Sequence, residues 1–302
     1  MALKIYKNLN GLILSFQSTK STASEAERVL IMPRRGARSL LSMMRSGINQ
    51  QIAKWILIEF VFSITKSPNH QITISHGVPM EYTIIRTNLL PSPQADWHAA
   101  EWQQANTLQV NHYPWPDSGH RPNAQARLMY DDDKLGIMFH VEDRYVRAVA
   151  QRFQDGVCGD SCVEFFVSPL PDSLEYFNFE VNCGGTMLLH HCPGPKGRAA
   201  GLSWVPVSGE DGKTITMAHT MPEIVEPEIS EATIWTIEYH VPFALFEKYL
   251  GPMPGRAGAA WRANFYKCGD RTSHPHWGSW APVDTQKPNF HVPESFQSIV
   301  FG

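Results

Sequence analysis

Charge, cysteine and long apolar runs are all scarce in this 302-residue chain, and each scarcity excludes something. Only 18% of residues are charged, and 29 acids outnumber 26 bases, so the cation excess that a phosphate backbone demands is missing. Nucleic acid is therefore not an expected partner. The five cysteines are an odd number in a chain large enough to build a core without them, which points to free thiols rather than a disulfide framework. The longest apolar stretch, around Ile56–Ile64, is interrupted by Glu59 and is too short for a transmembrane helix. No small-residue cleavage site follows it, so no signal peptide is read there and the sequence favours the cytoplasm. The chain also lacks a Gly-rich phosphate loop, a Gly-x-Ser-x-Gly elbow, a dinucleotide fingerprint, a complete EF-hand loop and any internal repeat.

Turn formers and aromatics are abundant instead. Gly and Pro total 43 residues, and 9 Trp, 9 Tyr and 15 Phe accompany them, a composition suited to many short strands. Charge is unevenly spread. Residues 1–75 carry ten Lys or Arg against three acids, whereas the rest carries 16 bases against 26 acids. This asymmetry divides the chain into residues 1–79, expected to be a disordered or partly helical extension outside the fold, and residues 80–302. Met80 stands directly before the regular pattern and is a candidate natural start.

From Met80 onward the period is two. Ala126, Leu128 and Tyr130 alternate with polar residues, Asp131-Asp132-Asp133-Lys134 turns, and Leu135, Ile137, Phe139 and Val141 alternate again. Further strands are expected at Tyr82–Arg86, Val163–Val167, Tyr176–Asn182, Thr186–His190, Trp235–Val241, Trp261–Tyr266 and Ser298–Phe301, with a short helical turn after Pro242. About ten short strands with little helix imply an all-β fold, an antiparallel β-sandwich of jelly-roll type.

The order of motifs resembles the family 9 carbohydrate-binding modules, within the wider group of DOMON-like sandwiches. The similarity runs through Trp97 and Trp102, Tyr130–Leu135, His140-Val141-Glu142-Asp143, Asp160-Ser161-Cys162-Val163-Glu164-Phe165-Phe166, Phe179-Glu180-Val181-Asn182, and Trp235–Glu238 with Pro242-Phe243. It ends with Trp261–Phe265, Trp277-Gly278-Ser279-Trp280-Ala281-Pro282 and Phe290–Glu294, and so covers nearly all of residues 80–302. The resemblance implies a sandwich that holds sugar ends between aromatic rings without catalysis, commonly as an accessory in carbohydrate catabolism. It also implies a structural calcium. Glu164 matches an acidic residue that meets sugar hydroxyls, and Trp277 or Trp280 matches one stacking Trp. Val157-Cys158 stand where the family keeps a second.

The residues support a sugar site independently. A pyranose offers an apolar face and a ring of hydroxyls, so it needs a flat aromatic ring and planar polar groups. Trp277 and Trp280 supply rings in a Gly/Ser/Pro-rich loop, while Arg262 and Asn264 share one strand face and Glu180 and Asn182 another. The expected carbohydrate contacts are Trp277, Trp280, Glu164, Arg262, Asn264 and Asn182. Glu164, inside an apolar run, could equally form a buried ion pair with Arg127 or Arg262. Asp131, Asp133 and Asp160 are candidate oxygen ligands for calcium. Three other functions fit parts of the chain. Glu164 with Glu180 would serve a glycoside hydrolase. His190-His191-Cys192, Cys183, His274 and His276 would serve a metal or haem protein. A Trp-rich loop could dock another protein.

Overall fold

The computed structural model describes residues 80–302 except 171, 195–203 and 254, together with the backbone of three strands nearer the N-terminus. Those strands, β1 (Ala2–Asn8), β2 (Gly11–Gln17) and β3 (Arg28–Pro33), form an antiparallel sheet. The remainder of the expected extension lies outside the described residues. Spatial contacts divide the chain into Met1–His76 and Gly77–Gly302.

The second unit contains β4 (Glu81–Arg86), β5 (Leu108–Val110), β6 (Asn123–Tyr130), β7 (Lys134–Asp143), β8 (Val146–Ala148), β9 (Cys162–Ser168), β10 (Tyr176–Asn182) and β11 (Met187–Cys192). It continues with β12 (Val205–Pro206), the single turn α1 (Gly209–Gly212), β13 (Thr216–His219), β14 (Val225–Ile229), β15 (Thr233–Pro242) and α2 (Phe243–Leu250). β16 (Ala260–Cys268), β17 (Trp277–Ser279) and β18 (Gln297–Phe301) complete it. No helix among the described residues is long and apolar enough to cross a membrane.

One continuous sheet folds over on itself. Its strand order is β12-β11-β10-β9-β16-β18-β4-β6-β7-β15-β13, with β5 beside β6 and β17 beside β16. β4 is the fold line. Its first four residues pair parallel with β18 and its last two pair parallel with β6, so it belongs to both leaves. Every other pairing in this sheet is antiparallel.

Alternation sends one side chain in two into the space between the leaves. From β9, β10 and β16 come Val163, Phe165, Phe179, Val181 and Phe265, and from β6, β7 and β15 come Leu128, Ile137, Phe139, Trp235 and Tyr239, all buried in one core. Phe165 stacks on Phe265 at 4.9 Å between ring centroids, Phe139 meets Phe265 at 6.0 Å, and Phe179 lies 6.2 Å from Tyr239. Each fully buried Phe contributes roughly 2–3 kcal/mol by removing its ring from water. Helix α2 closes one opening. It starts behind Pro242, ends at Gly251 in the left-handed region (φ 82°), and sets Phe246 between Phe177 and Trp261.

The expected hairpin is β6–β7. Asp131 shapes its turn, accepting hydrogen bonds from the Asp133 and Lys134 amides at Oδ1 and from the Leu90 amide at Oδ2. The outer face of the β6–β7–β15 leaf is covered by residues 90–105, whose Trp97 and Trp102 are buried with Met129 and Met138. Glu238 pins that cover by accepting from the Gln94 and Ala95 amides and from the indole of Trp102. At the far end of β7, Asp143 meets a buried Lys267 Nζ at 3.2 Å. Asp143 also accepts from the Trp235 indole and faces His120, while Lys267 Nζ reaches His276 Nε2 at 2.8 Å.

Candidate functional site

The other outer face, on β11–β10–β9–β16–β17, carries the polar groups. Strand parity decides which residues reach it. Phe165, Phe179 and Phe265 point inward, so Cys162, Glu164, Asn178, Glu180, Arg262, Asn264, Tyr266 and Cys268 point outward. Register then lines them up. Glu164 lies opposite Glu180 on one side and Tyr266 on the other, and Cys162 lies opposite Cys268.

This face is not open throughout. Trp115, Val157, Val283, Phe290 and Phe296 fold over it from loops and form a second core with Phe166, Tyr176 and Tyr266. Glu164 and Glu180 are consequently buried, at 2% and 6% exposure. Asn178 donates to Glu180 Oε1 at 2.7 Å and accepts from the His190 amide. Burial pushes Glu180 up to about 7 against the opposing Asn178 hydrogen bond. Burial, then the neighbouring Glu180 charge, raises Glu164 well above the usual carboxylate range. The pair therefore holds a proton near neutral pH and can both donate and accept.

Trp277 stands at the edge of this row. β17 pairs with β16 so that Trp277 is opposite Cys268, on the outward face, and its indole donates to Asp270 Oδ1 at 2.7 Å. The 157–159 turn is tied to the same rim, since Cys158 and Gly159 carbonyls accept from the Asp270 and Arg271 amides. Half-buried Trp277 and Cys158 thus border Cys268 and Glu164, and Cys268 Sγ lies 3.1 Å from Glu164 Oε1. Towards β11, His291 meets the Tyr176 hydroxyl at 2.7 Å, and Trp204 packs 5.5 Å from His291 with 55% of its surface exposed.

The other four expected sugar contacts are otherwise engaged: Trp280 lies on the inner face, and Arg262, Asn264 and Asn182 brace backbone and loops on the outer one. Trp280 follows Trp277 by three residues, an odd step, and its amide pairs with the Phe265 carbonyl, so it turns to the inner face. There its ring packs edge-on against Phe265 at 5.6 Å and is buried in the core, with its exposed edge bordering a hollow of about 530 Å³ beside Tyr82 and His112. Asn264 is fully buried and serves the backbone, accepting from the Ala281 amide and donating to the Ala281 carbonyl. Asn182 donates to Asp160 Oδ2 and accepts from the Thr186 amide, bracing the β10–β11 turn. Arg262 ties two loops together through the carbonyls of Ser173 and Pro293. Neither Arg262 nor Arg127 pairs with Glu164. Arg127 lies over the Trp97 ring at 3.9 Å and donates to Thr107 and the Trp97 carbonyl.

The three aspartates expected to hold calcium do not come together. Asp131 and Asp133 sit in the turn before β7, whereas Asp160 binds the Val149 and Ala150 amides beyond its other end. Ten residues of strand separate those ends by roughly 30 Å. Donors also occupy the oxygens: Asp160 Oδ2 takes three N–H groups and Asp131 takes three amides. These residues do not fit a calcium site. The adjacent His190 and His191 point to opposite faces, His191 reaching Glu175 Oε1 at 2.7 Å.

The structure brings Trp277 and Glu164, both expected from the sequence, onto one face, in a setting that the sequence did not show. Cys268 and Asn178 carried no motif of their own; only the pairing of β9 with β16 and β10 brings them beside Glu164 and Glu180.

Comparison with known proteins follows the same line. The model of the family described as carbohydrate-binding family 9 matches residues 96–301. No curated protein matches the chain. Among solved structures, a Bacteroides uniformis ATCC 8492 protein, described only provisionally as carbohydrate-binding, is 25% identical with a TM-score of 0.66, and the match covers 74% of this chain and 100% of that one. A family 9 carbohydrate-binding module from Caldicellulosiruptor kristjanssonii in complex with glucose is 12% identical with a TM-score of 0.49, covering 74% of this chain and 96% of that chain. The cellotriose complex of such a module from the same organism gives the same identity and score, covering 93% of that chain.

Proposed function

Because the chain belongs to carbohydrate-binding family 9, we propose that it binds a carbohydrate on the outer β9–β10–β16 face, with Trp277 as the stacking ring and Glu164 with Asp270 as hydroxyl partners. The observation that carries the placement is register: β17 sets Trp277 opposite Cys268, whose thiol touches Glu164. A ring and a carboxylate on one face are what a pyranose requires. Trp204, exposed at the other end of the same face, is a second ring for a longer ligand.

The function is binding without turnover. Glycoside hydrolysis needs two carboxyls on opposite sides of the scissile bond. Glu164 and Glu180 instead project side by side from neighbouring strands of one sheet face and are almost wholly covered, so they do not flank a cleft that a scissile bond could enter. Their shared proton suits them to accept from one hydroxyl and donate to another.

Titration calorimetry against mono- and oligosaccharides tests the assignment. Wild type should release heat with at least one sugar, and Trp277→Ala should weaken that binding about tenfold or more, in line with the loss of one aromatic stacking contact of roughly 1.5 kcal/mol. Absence of heat with every sugar at millimolar concentration, or full affinity in Trp277→Ala, would overturn it.

A further inference from the structure

Two buried carboxyls on the floor of this face lack a cation. Among the described residues, no salt bridge reaches Glu164 or Glu180, although surface carboxylates elsewhere are paired. The nearest buried ammonium, Lys267, is one residue out of phase, points to the other side of β16 and is committed to Asp143. Beside Glu164 lie two thiols. Cys162 and Cys268 face each other across β9 and β16, and their sulfurs and one Glu164 oxygen all lie within 4.8 Å of one another. All three side chains are buried. Such a set has the donors that a soft divalent cation requires.

We propose that Cys162, Glu164 and Cys268 bind a thiolate-preferring divalent cation of the zinc class, with its fourth position open towards Cys158 and Trp277. Two sulfurs and a carboxylate oxygen are ligands that Zn²⁺ accepts in tetrahedral geometry, with Zn–S near 2.3 Å and Zn–O near 2.0–2.2 Å. Sulfurs on one tetrahedral ion stand about 3.8 Å apart by those lengths, so small side-chain rotations within the observed cluster suffice. Oxygen-seeking Ca²⁺ and Mg²⁺ would not choose two sulfurs. Both thiols are buried, and to serve as thiolate ligands each must give up its proton. Binding therefore expels the two thiol protons together with any proton held on Glu164, and the ion replaces their positive charge beside Glu180.

The site goes beyond sugar binding but shares Glu164 with the proposed sugar face, so its test rests on the two cysteines, neither of which is a proposed sugar contact. The test uses the full chain, freed of metal with a chelator under reducing conditions and titrated with Co²⁺ and then Zn²⁺. One equivalent should bind, the cobalt form should show sulfur-to-metal charge-transfer absorption with tetrahedral ligand-field bands, and Zn²⁺ should displace it. Calorimetry in buffers of different ionisation enthalpy should show release of about two or more protons per Zn²⁺ at pH 7. Cys162→Ser and Cys268→Ser should each weaken Zn²⁺ binding at least a hundredfold, whereas Cys183→Ser, on the inner face, should not. Absence of one-to-one binding by the wild type, a cobalt spectrum without thiolate bands, or unchanged affinity in folded Cys162→Ser and Cys268→Ser would overturn the proposal. The wild-type spectrum decides even where a variant fails to fold. Sugar titrations of the metal-free and zinc-loaded wild type separate this outcome from that of the sugar site.

Discussion

Replacing Asp143 by Asn should cost about 3–5 kcal/mol of stability, because it strands the Lys267 ammonium in a site with no access to water. Once the carboxylate is gone, Lys267 keeps His276 Nε2, the Cys268 carbonyl, the Trp235 ring and the neutral amide of the new side chain, but no counter-charge. For a unit of this size the melting midpoint should fall by roughly 6–20 °C. Denaturant unfolding of Asp143→Asn, Lys267→Met and the double variant supplies the check. Removing both charges should be less costly than the sum of the single changes by at least about 2 kcal/mol. The pH dependence has a definite sign. Burial alone would raise Asp143, but the Lys267 charge and the His120 hydrogen bond outweigh it and hold the carboxyl well below its usual range. The pair's contribution is therefore present above the unfolded carboxylate pKa of about 3.9 and is lost as pH falls below it, a loss that Asp143→Asn should not show. A variant within 1 kcal/mol of wild type, or strictly additive single changes, would refute this account of the buried pair.

Glu180→Gln should stabilise the chelator-treated protein at pH 8 by roughly 3 kcal/mol and have little effect at pH 4. The folded pKa of about 7 exceeds the unfolded 4.5, so stability is lost as pH rises between them, and the amide removes that loss; urea titrations at both pH values decide it. Asn182→Ala should cost about 2–3 kcal/mol in thermal melts, because it leaves the Thr186 amide and Asp160 short of partners under cover. Trp204→Ala should weaken binding of an oligosaccharide about tenfold in calorimetry while leaving a monosaccharide unaffected.

Much of the sandwich was legible because alternation is a local signal. Ala126, Leu128 and Tyr130 face Leu135, Ile137 and Phe139 across the Asp131 turn as the pattern implied. The same rule, applied strictly, separates Trp277 from Trp280, since an odd step along an extended chain reverses the face. Parity names a face but not what lies over it. Asn182 and Asn264 share the outward face with Glu164, yet loops far along the chain bury them, and no local pattern encodes that cover. The Glu164–Glu180 pairing and the Cys162–Cys268 approach depend on register between strands, which is set by the whole sheet. The separation of Asp131 from Asp160 follows from the length of β7, and was readable once its ten residues were seen as one strand.

The fold line at β4 also governs when the molecule can fold. Glu81–Ile84 wait for Ser298–Phe301, more than two hundred residues later, before one leaf can be joined to the other. β16, which occupies the middle of its leaf between β9 and β18, is likewise made late. Closing so long a loop is slow, and until it closes β4 presents an unpaired edge rich in Ile and Tyr. On the ribosome the β6–β7 hairpin can form early, but the sandwich cannot shut until β18 has been made. Its last strand acts as the zip, and the interval before it arrives is when this chain is most exposed to pairing with a neighbour instead.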